Sequence, residues 1–233
     1  KRWRWLQHLM LILAISFTGI VSQAQTVTIG TGTTTSNGSS ADPVDQFWEY
    51  RHTQIVYLAS DLTAGGMSAG ASITSLGFSI SEAPNPSGGG LKNYTISLGH
   101  TAQVIANPMV SAGLQIVKPA FTYQPTVQTA GNFDMITFTT PFVWNGSSNI
   151  VVDICSGLNT YVSAYGGLRY SAGTSGVMSY TYSSSAARCA IFTSPSTSAN
   201  RPNIRFAYTP GANCSGTPNS GTASLTPSSG LGG

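Results

Sequence analysis

Ala71-Ser-Ile-Thr-Ser-Leu-Gly-Phe-Ser-Ile80 decides the fold class. Ile73, Leu76, Phe78 and Ile80 fall mostly two residues apart with Ser, Thr and Gly between them. A period of two puts alternate side chains on one face of a pleated strand, whereas a helix needs apolar residues three and four apart. Working outward, the alternation recurs in Tyr94-Thr-Ile-Ser-Leu98, in Phe133 to Thr139 and in Asn149-Ile-Val-Val-Asp-Ile-Cys155. Shorter β-branched and aromatic runs lie at Gln54 to Ala59, Leu168 to Ser171, Val177 to Tyr182 and Ile204 to Tyr208. Turn-forming clusters separate them: Pro84-Asn-Pro-Ser-Gly-Gly-Gly90, Asn145-Gly146, Gly166-Gly167 and Pro195 to Pro202. No segment sustains a capped helical pattern. The pattern predicts an all-β protein of about eight to eleven strands, a two-sheet β-sandwich. Residues 25–210 suit one domain, long for a seven-strand immunoglobulin fold and matched to a jelly-roll-like pair of sheets.

Residues 1–24 read as a helical signal peptide. Lys1, Arg2 and Arg4 make a basic start, Leu9 to Val21 an apolar stretch, and Ser22-Gln23-Ala24 a small-x-small cleavage site before Gln25. The apolar stretch is thirteen residues long, short of the roughly 20 that span a bilayer. The expected address is therefore secreted or the outer cell surface, with no membrane span in the mature chain.

This leader also accounts for the net charge. The formal +3 comes from ten basic and seven acidic residues, and three of the ten lie in the leader. The mature chain is neutral, no Lys/Arg cluster survives to track a phosphate backbone, and a nucleic-acid partner is not expected. Charged residues are 7% of the chain, against about 25% in ordinary domains. Ser, Thr, Gly and Asn take their place, a mix that suits exposed strand faces and tight turns.

Three cysteines remain in a chain read as exported. Cys155 ends one predicted strand and Cys189 is taken to begin another, so the two are expected to form a disulfide inside the sandwich. Loop closure would stabilise the fold by on the order of 3 to 4 kcal/mol. The alternative is two free buried thiols. Cys214 opens residues 211–233, read as a linker and the start of a following immunoglobulin-like domain whose remainder would lie past Gly233.

The collective order of several segments carries a resemblance. Gln54 through Leu62 and Gly65 to Phe78, Tyr94-Thr-Ile-Ser-Leu-Gly-His-Thr101, Thr140-Pro-Phe-Val-Trp-Asn-Gly-Ser-Ser-Asn-Ile-Val-Val-Asp-Ile-Cys155, and Cys189 with Asn200-Arg-Pro-Asn-Ile-Arg-Phe206 resemble the amino-terminal β-sandwich of large modular secreted proteins of Bacteroidetes. The resemblance implies export by the general pathway and, often, type IX secretion, which reads a carboxy-terminal sorting domain that would lie beyond Gly233. It implies no active site.

Candidate chemistry is sparse. Gly66-Met-Ser68-Ala-Gly70 matches the nucleophile-elbow pattern, but that chemistry needs a strand-to-helix turn and this match precedes a strand. His52 and His100 are too few for a histidine zinc site without carboxylates. Asp134 and Asp153 could meet on neighbouring strands as an acid/base pair. No catalytic residue, metal ligand or cofactor is assigned, and a structural calcium at the sandwich rim would rest on fold analogy alone.

The densest polar and aromatic stretch is Asp42-Pro-Val-Asp45-Gln-Phe47-Trp48-Glu49-Tyr50-Arg51-His52. One reading is a ligand-binding loop in which Trp48 and Tyr50 stack on a sugar while Asp45, Glu49, Arg51 and His52 hydrogen-bond its hydroxyls, with Trp144 as a second platform. The other is a cover for one end of the sandwich, with Trp144 a plug. The chain is expected to be a monomeric, non-catalytic extracellular module, serving adhesion, glycan or protein ligand binding, or capping of repeats downstream in the same polypeptide. The alternative is an accessory domain of a secreted protease or glycosidase whose catalytic domain follows Gly233.

Overall fold

The computed structural model describes residues 24–36 and 41–211. The expected leader up to Gln23, and the tail with Cys214, lie outside the described residues. In chain order the described strands are β1 (Gln25–Ile29), β2 (Thr34–Thr35), β3 (Tyr50–Tyr57), β4 (Ser72–Phe78), β5 (Ile80–Glu82), β6 (Leu91–Thr101) and β7 (Gln115–Tyr123). There follow β8 (Asp134–Val143), β9 (Asn149–Ser156), β10 (Gly167–Ala172), β11 (Met178–Ser183), β12 (Ser196–Ser198), β13 (Asn200–Pro202) and β14 (Ile204–Thr209). A short helix α1 (Ala59–Ala64) follows β3 and seats Leu62 in the core. It is too short to leave a periodic signature, which is why the sequence pattern missed it.

Every pairing is antiparallel, in a four-stranded sheet of order β1-β14-β4-β8, a six-stranded sheet of order β12-β11-β3-β9-β6-β7 and a small sheet of order β13-β10-β2 with β5 also on β10. Ile73, Leu76 and Phe78 of β4, with Ile204 and Phe206 of β14, meet Ile55 and Tyr57 of β3, Ile96 of β6 and Val152 of β9 in one apolar core. Tyr57 ties the layers, its ring edge-on to Phe206 at 5.9 Å and its hydroxyl donating to the Pro202 carbonyl at 2.9 Å. The chain visits the sheets in the alternation of a jelly roll: β1-β14-β4-β8 faces β3-β9-β6-β7, and the eight strands run in sequence as β1, β3, β4, β6, β7, β8, β9, β14.

Between the last two of these eight strands lies an insertion containing β10 to β13. It does two things. β11 and β12 extend the larger sheet beyond β3. β10 enters a fork where β4 and β14 part after the Phe78–Ile204 pair, its Leu168 opposite Ile80 and its Tyr170 opposite Pro202. At the fork Arg169 N–H donates to the Ser79 carbonyl at 2.9 Å, and its own carbonyl accepts from Asn203 N–H at 3.0 Å.

The larger sheet is covered on its outer face as well. His52, Gln54 and Val56 of β3 point away from the sandwich core together with Val151, Asp153 and Cys155 of β9, and all are buried. The β6–β7 connection lies over one part, where Ala106 packs on Val56 and Val151. Gln54 accepts from Val110 N–H and donates to its carbonyl, both at 2.7 Å. The β11–β12 connection covers the rest through the Cys155–Cys189 disulfide, with Cα atoms 5.5 Å apart. The expected pairing is present, but its place differs: Cys189 lies in a connection rather than opening a strand, and the bridge pins that connection to the outside of the sheet.

Candidate ligand-binding site

The stretch from Asp42 to His52 does not act as one loop. Asp42 and Asp45 turn inward, Tyr50 opens β3, and from Arg51 onward alternate residues go to opposite faces of the sheet. Arg51 points into one end of the sandwich and pairs with Asp45 at 3.1 Å, both side chains at most 2% exposed. Asp45 also accepts from Phe47 N–H at 2.7 Å. Burial raises the Asp45 carboxyl above its usual range, partly offset by Arg51. Asp42, beside them, accepts from the Ser36 hydroxyl. Burial lifts its carboxyl to about 7 against that hydrogen bond and the pull of Arg51.

His52 lies on the outer face under the disulfide-pinned connection. Its Nε2 is 2.6 Å from Asp153 Oδ1 and its Nδ1 is 3.0 Å from the Ile191 carbonyl, with Phe192 edge-on at 5.0 Å. Burial alone would lower the imidazole pKa, but the Asp153 carboxylate, with carbonyls from the connection, raises it. An imidazolium donating to both acceptors satisfies this geometry. Trp144 is fully buried and its indole N–H donates to the Ser148 carbonyl at 2.8 Å, closing the β8–β9 turn. Four of the seven expected ligand residues, Asp45, Arg51, His52 and Trp144, are thus enclosed and hold the fold together.

Trp48, Glu49 and Tyr50 are only half-buried. Trp48 stacks on Tyr182 of the insertion, centroids 4.2 Å apart and planes 22° apart. Tyr182 lies alongside Tyr180, their planes 17° apart, because residues two apart on β11 share a face. Phe47 sits edge-on to Trp48, Tyr161 and Tyr165 at 4.9 to 5.3 Å. Buried Asn159 anchors this end by donating to the Trp48 carbonyl at 3.3 Å, while its own backbone N–H donates to the Glu49 carbonyl at 3.0 Å. Gln46 adds a second anchor, its amide within 3.2 Å of the Gly88, Gly90 and Thr160 carbonyls.

Beside the rings opens a cleft of about 390 Å³ lined by Tyr180, Thr181, Tyr182, Arg188, Ser194 and Ser196, among others. Sequence reading missed Tyr180, Tyr182, Arg188 and Asn159. The signal available was Tyr180-Thr-Tyr182, two rings at strand spacing.

The catalytic alternatives do not assemble. Ser68 sits in a helix-to-strand loop after α1, so the strand-to-helix elbow is not formed. Asp134 is on β8 and Asp153 on β9, which belong to different sheets, so they are not on neighbouring strands. Asp134 instead accepts from the Tyr123 hydroxyl at 2.8 Å and from Thr126 N–H at 2.9 Å. His100 is exposed at the end of β6, and its Nε2 accepts from Asn145 N–H at 3.1 Å. Among the described residues no three of His, Cys, Asp and Glu come together to hold a metal ion, and no helix is long and apolar enough to cross a membrane.

The fold and site define an all-β jelly-roll sandwich with an insertion-built aromatic cleft at one edge. The chain matches no protein-family model, and comparison with curated proteins and with solved structures finds no match either.

Proposed function

We propose that this chain is a non-catalytic extracellular module of a secreted or surface-anchored bacterial protein, and that its insertion-built edge binds a glycan. The observation that carries the reading is the column of stacked rings Trp48, Tyr182 and Tyr180 on the edge of the larger sheet, next to an open cleft lined with hydroxyl groups. Flat apolar faces flanked by a few polar groups suit a sugar ring, which offers C–H bonds on its faces and hydroxyls at its rim. Export is supported by the disulfide, which persists outside the reducing cytoplasm. A glycan array probed with the folded, oxidised chain beside Tyr182→Ala and Trp48→Ala variants tests the reading. Binding by the wild type that both variants lose is the expected result; equal binding by the variants, or none by the wild type, overturns it.

A further inference from the structure

Arg188 is singled out by what its side chain lacks. Arg51 pairs with Asp45 and Arg201 with Asp61. Arg169 donates to the Ile80 and Gln128 carbonyls, and Arg205 donates to Thr28 and covers the Phe133 ring. Lys118 lies over Phe121 and Lys92 donates to Thr160. Among the described residues, Arg188 is the cation whose side chain has no such hydrogen bond, ion pair or ring contact, and its Nε is buried without a partner. A second buried polar atom on the cleft lining, Thr181 Oγ1, is equally unpartnered. Leaving such buried groups unmet is unfavourable, and a bound group with acceptor oxygens removes that penalty.

The backbone adds a donor. Val56 N–H donates to the Val177 carbonyl, so odd-numbered residues of β11 bond to β3 and even-numbered ones turn to β12. β12 pairs only as far as Tyr180–Ser196, next to Pro195, which has no N–H. The N–H and carbonyl of Tyr182, one rung further, therefore face the cleft side with no backbone partner among the described residues. Arg188 is held in place by its neighbour Cys189, bridged to Cys155 of β9.

Resting on the glycan-binding reading, we propose that this cleft selects anionic saccharides, with Arg188 binding the oxyanion group of a sugar whose hydroxyls meet Thr181 Oγ1 and the open backbone edge at Tyr182. A guanidinium presents two parallel N–H groups to a carboxylate or sulfate, and such charge-assisted pairs are about twice as strong as neutral hydrogen bonds. A neutral glycan leaves Arg188 unmatched, and the hydroxyls of Thr181, Thr193, Ser194 and Ser196 along the cleft suit the hydroxyl rim of a sugar.

Calorimetric titration of the oxidised chain compares a galacturonic-acid tetramer, its carboxyl-reduced counterpart, a sulfated oligosaccharide and polyglutamate. The wild type should bind the carboxylated or the sulfated saccharide at least about tenfold more tightly than the reduced one, a factor equal to about 1.4 kcal/mol. Whichever of the two binds better identifies the group. Arg188→Gln should bring that ligand down to the level of the neutral saccharide with no change in thermal midpoint. Should Arg188→Gln fail to fold, Arg188→Lys, which keeps the charge and loses the fork, is expected to fall between the two. Equal binding of acidic and neutral saccharides overturns selection for anions and leaves glycan binding standing. Preference for polyglutamate overturns the saccharide, and binding of none of the four, together with an empty glycan array, overturns both proposals.

Discussion

Replacing Cys155 and Cys189 together by Ser is expected to weaken the fold in a specific pattern. The two residues are separated by 34 positions, and the chain-entropy relation for a loop of that size gives about 4 kcal/mol at 25 °C. The structure says where the effect falls. Cys189 lies in the β11–β12 connection, whose other ties to the sheet include the His52–Ile191 hydrogen bond and the Phe192 contact. Without the bridge this connection should open before the sandwich does, exposing His52 and freeing Arg188. Urea unfolding of both proteins measures the global cost. Hydrogen exchange at Ile191 N–H, which donates to the Arg188 carbonyl at 2.8 Å, reports the local opening. A stability loss under about 1 kcal/mol, with Ile191 still protected, would refute the claim that the bridge holds a covering layer on the sheet.

Two further predictions concern the buried polar groups. The unfolded Asp42 carboxyl titrates near 3.8 and the folded one near 7. Between those values the folded chain holds a proton that the unfolded chain has released, so stability falls as pH rises across that window, by up to about 4 kcal/mol. His52, raised above its ordinary value, contributes stability that is complete below about 6.5 and lost as pH rises through its folded pKa. Urea midpoints from pH 4 to 9 should decline with pH, and Asp42→Asn should flatten the lower part and leave the upper; a midpoint that rises with pH contradicts both assignments. Gln46→Ala takes the side-chain donor from the Gly88, Gly90 and Thr160 carbonyls and should cost about 2 to 3 kcal/mol. A thermal midpoint within 1 °C of wild type, against the several degrees that such a loss implies, would show that the anchor is dispensable.

The eight segments that alternate or carry short apolar runs were legible as strands because each places buried apolar or aromatic residues on one face or both between turn-forming clusters. β7 was not, since Pro119 argues against a strand with two neighbours; the residue is tolerated because β7 is the edge of its sheet. β1, β2, β12 and β13 were missed as well. β2, β12 and β13 run for three residues at most, too short for a period to register, and β1 offers only Val27 and Ile29 as buried apolar positions. The harder failure concerns His52, Gln54 and Asp153. Alternation assigns polar residues opposite a core face to water, and here two long connections and a disulfide cover them instead. Local pattern cannot report a covering that comes from residues more than 50 positions away. The site was half legible for the same reason. Trp48 stood out by composition, whereas Tyr182 and Arg188 belong to an insertion whose position beside Trp48 is set by sheet topology.

Chemical-shift mapping on the labelled, oxidised chain with the best saccharide from the array tests most directly whether the insertion edge is the binding site. The shifts should concentrate at the Trp48 indole, Tyr180, Tyr182 and the Arg188 guanidinium, and leave the opposite, Thr-rich face of the four-stranded sheet at Thr26, Thr28 and Thr137 unmoved. Shifts confined to that opposite face, with Trp48 and Tyr182 silent, would contradict the assignment of the cleft.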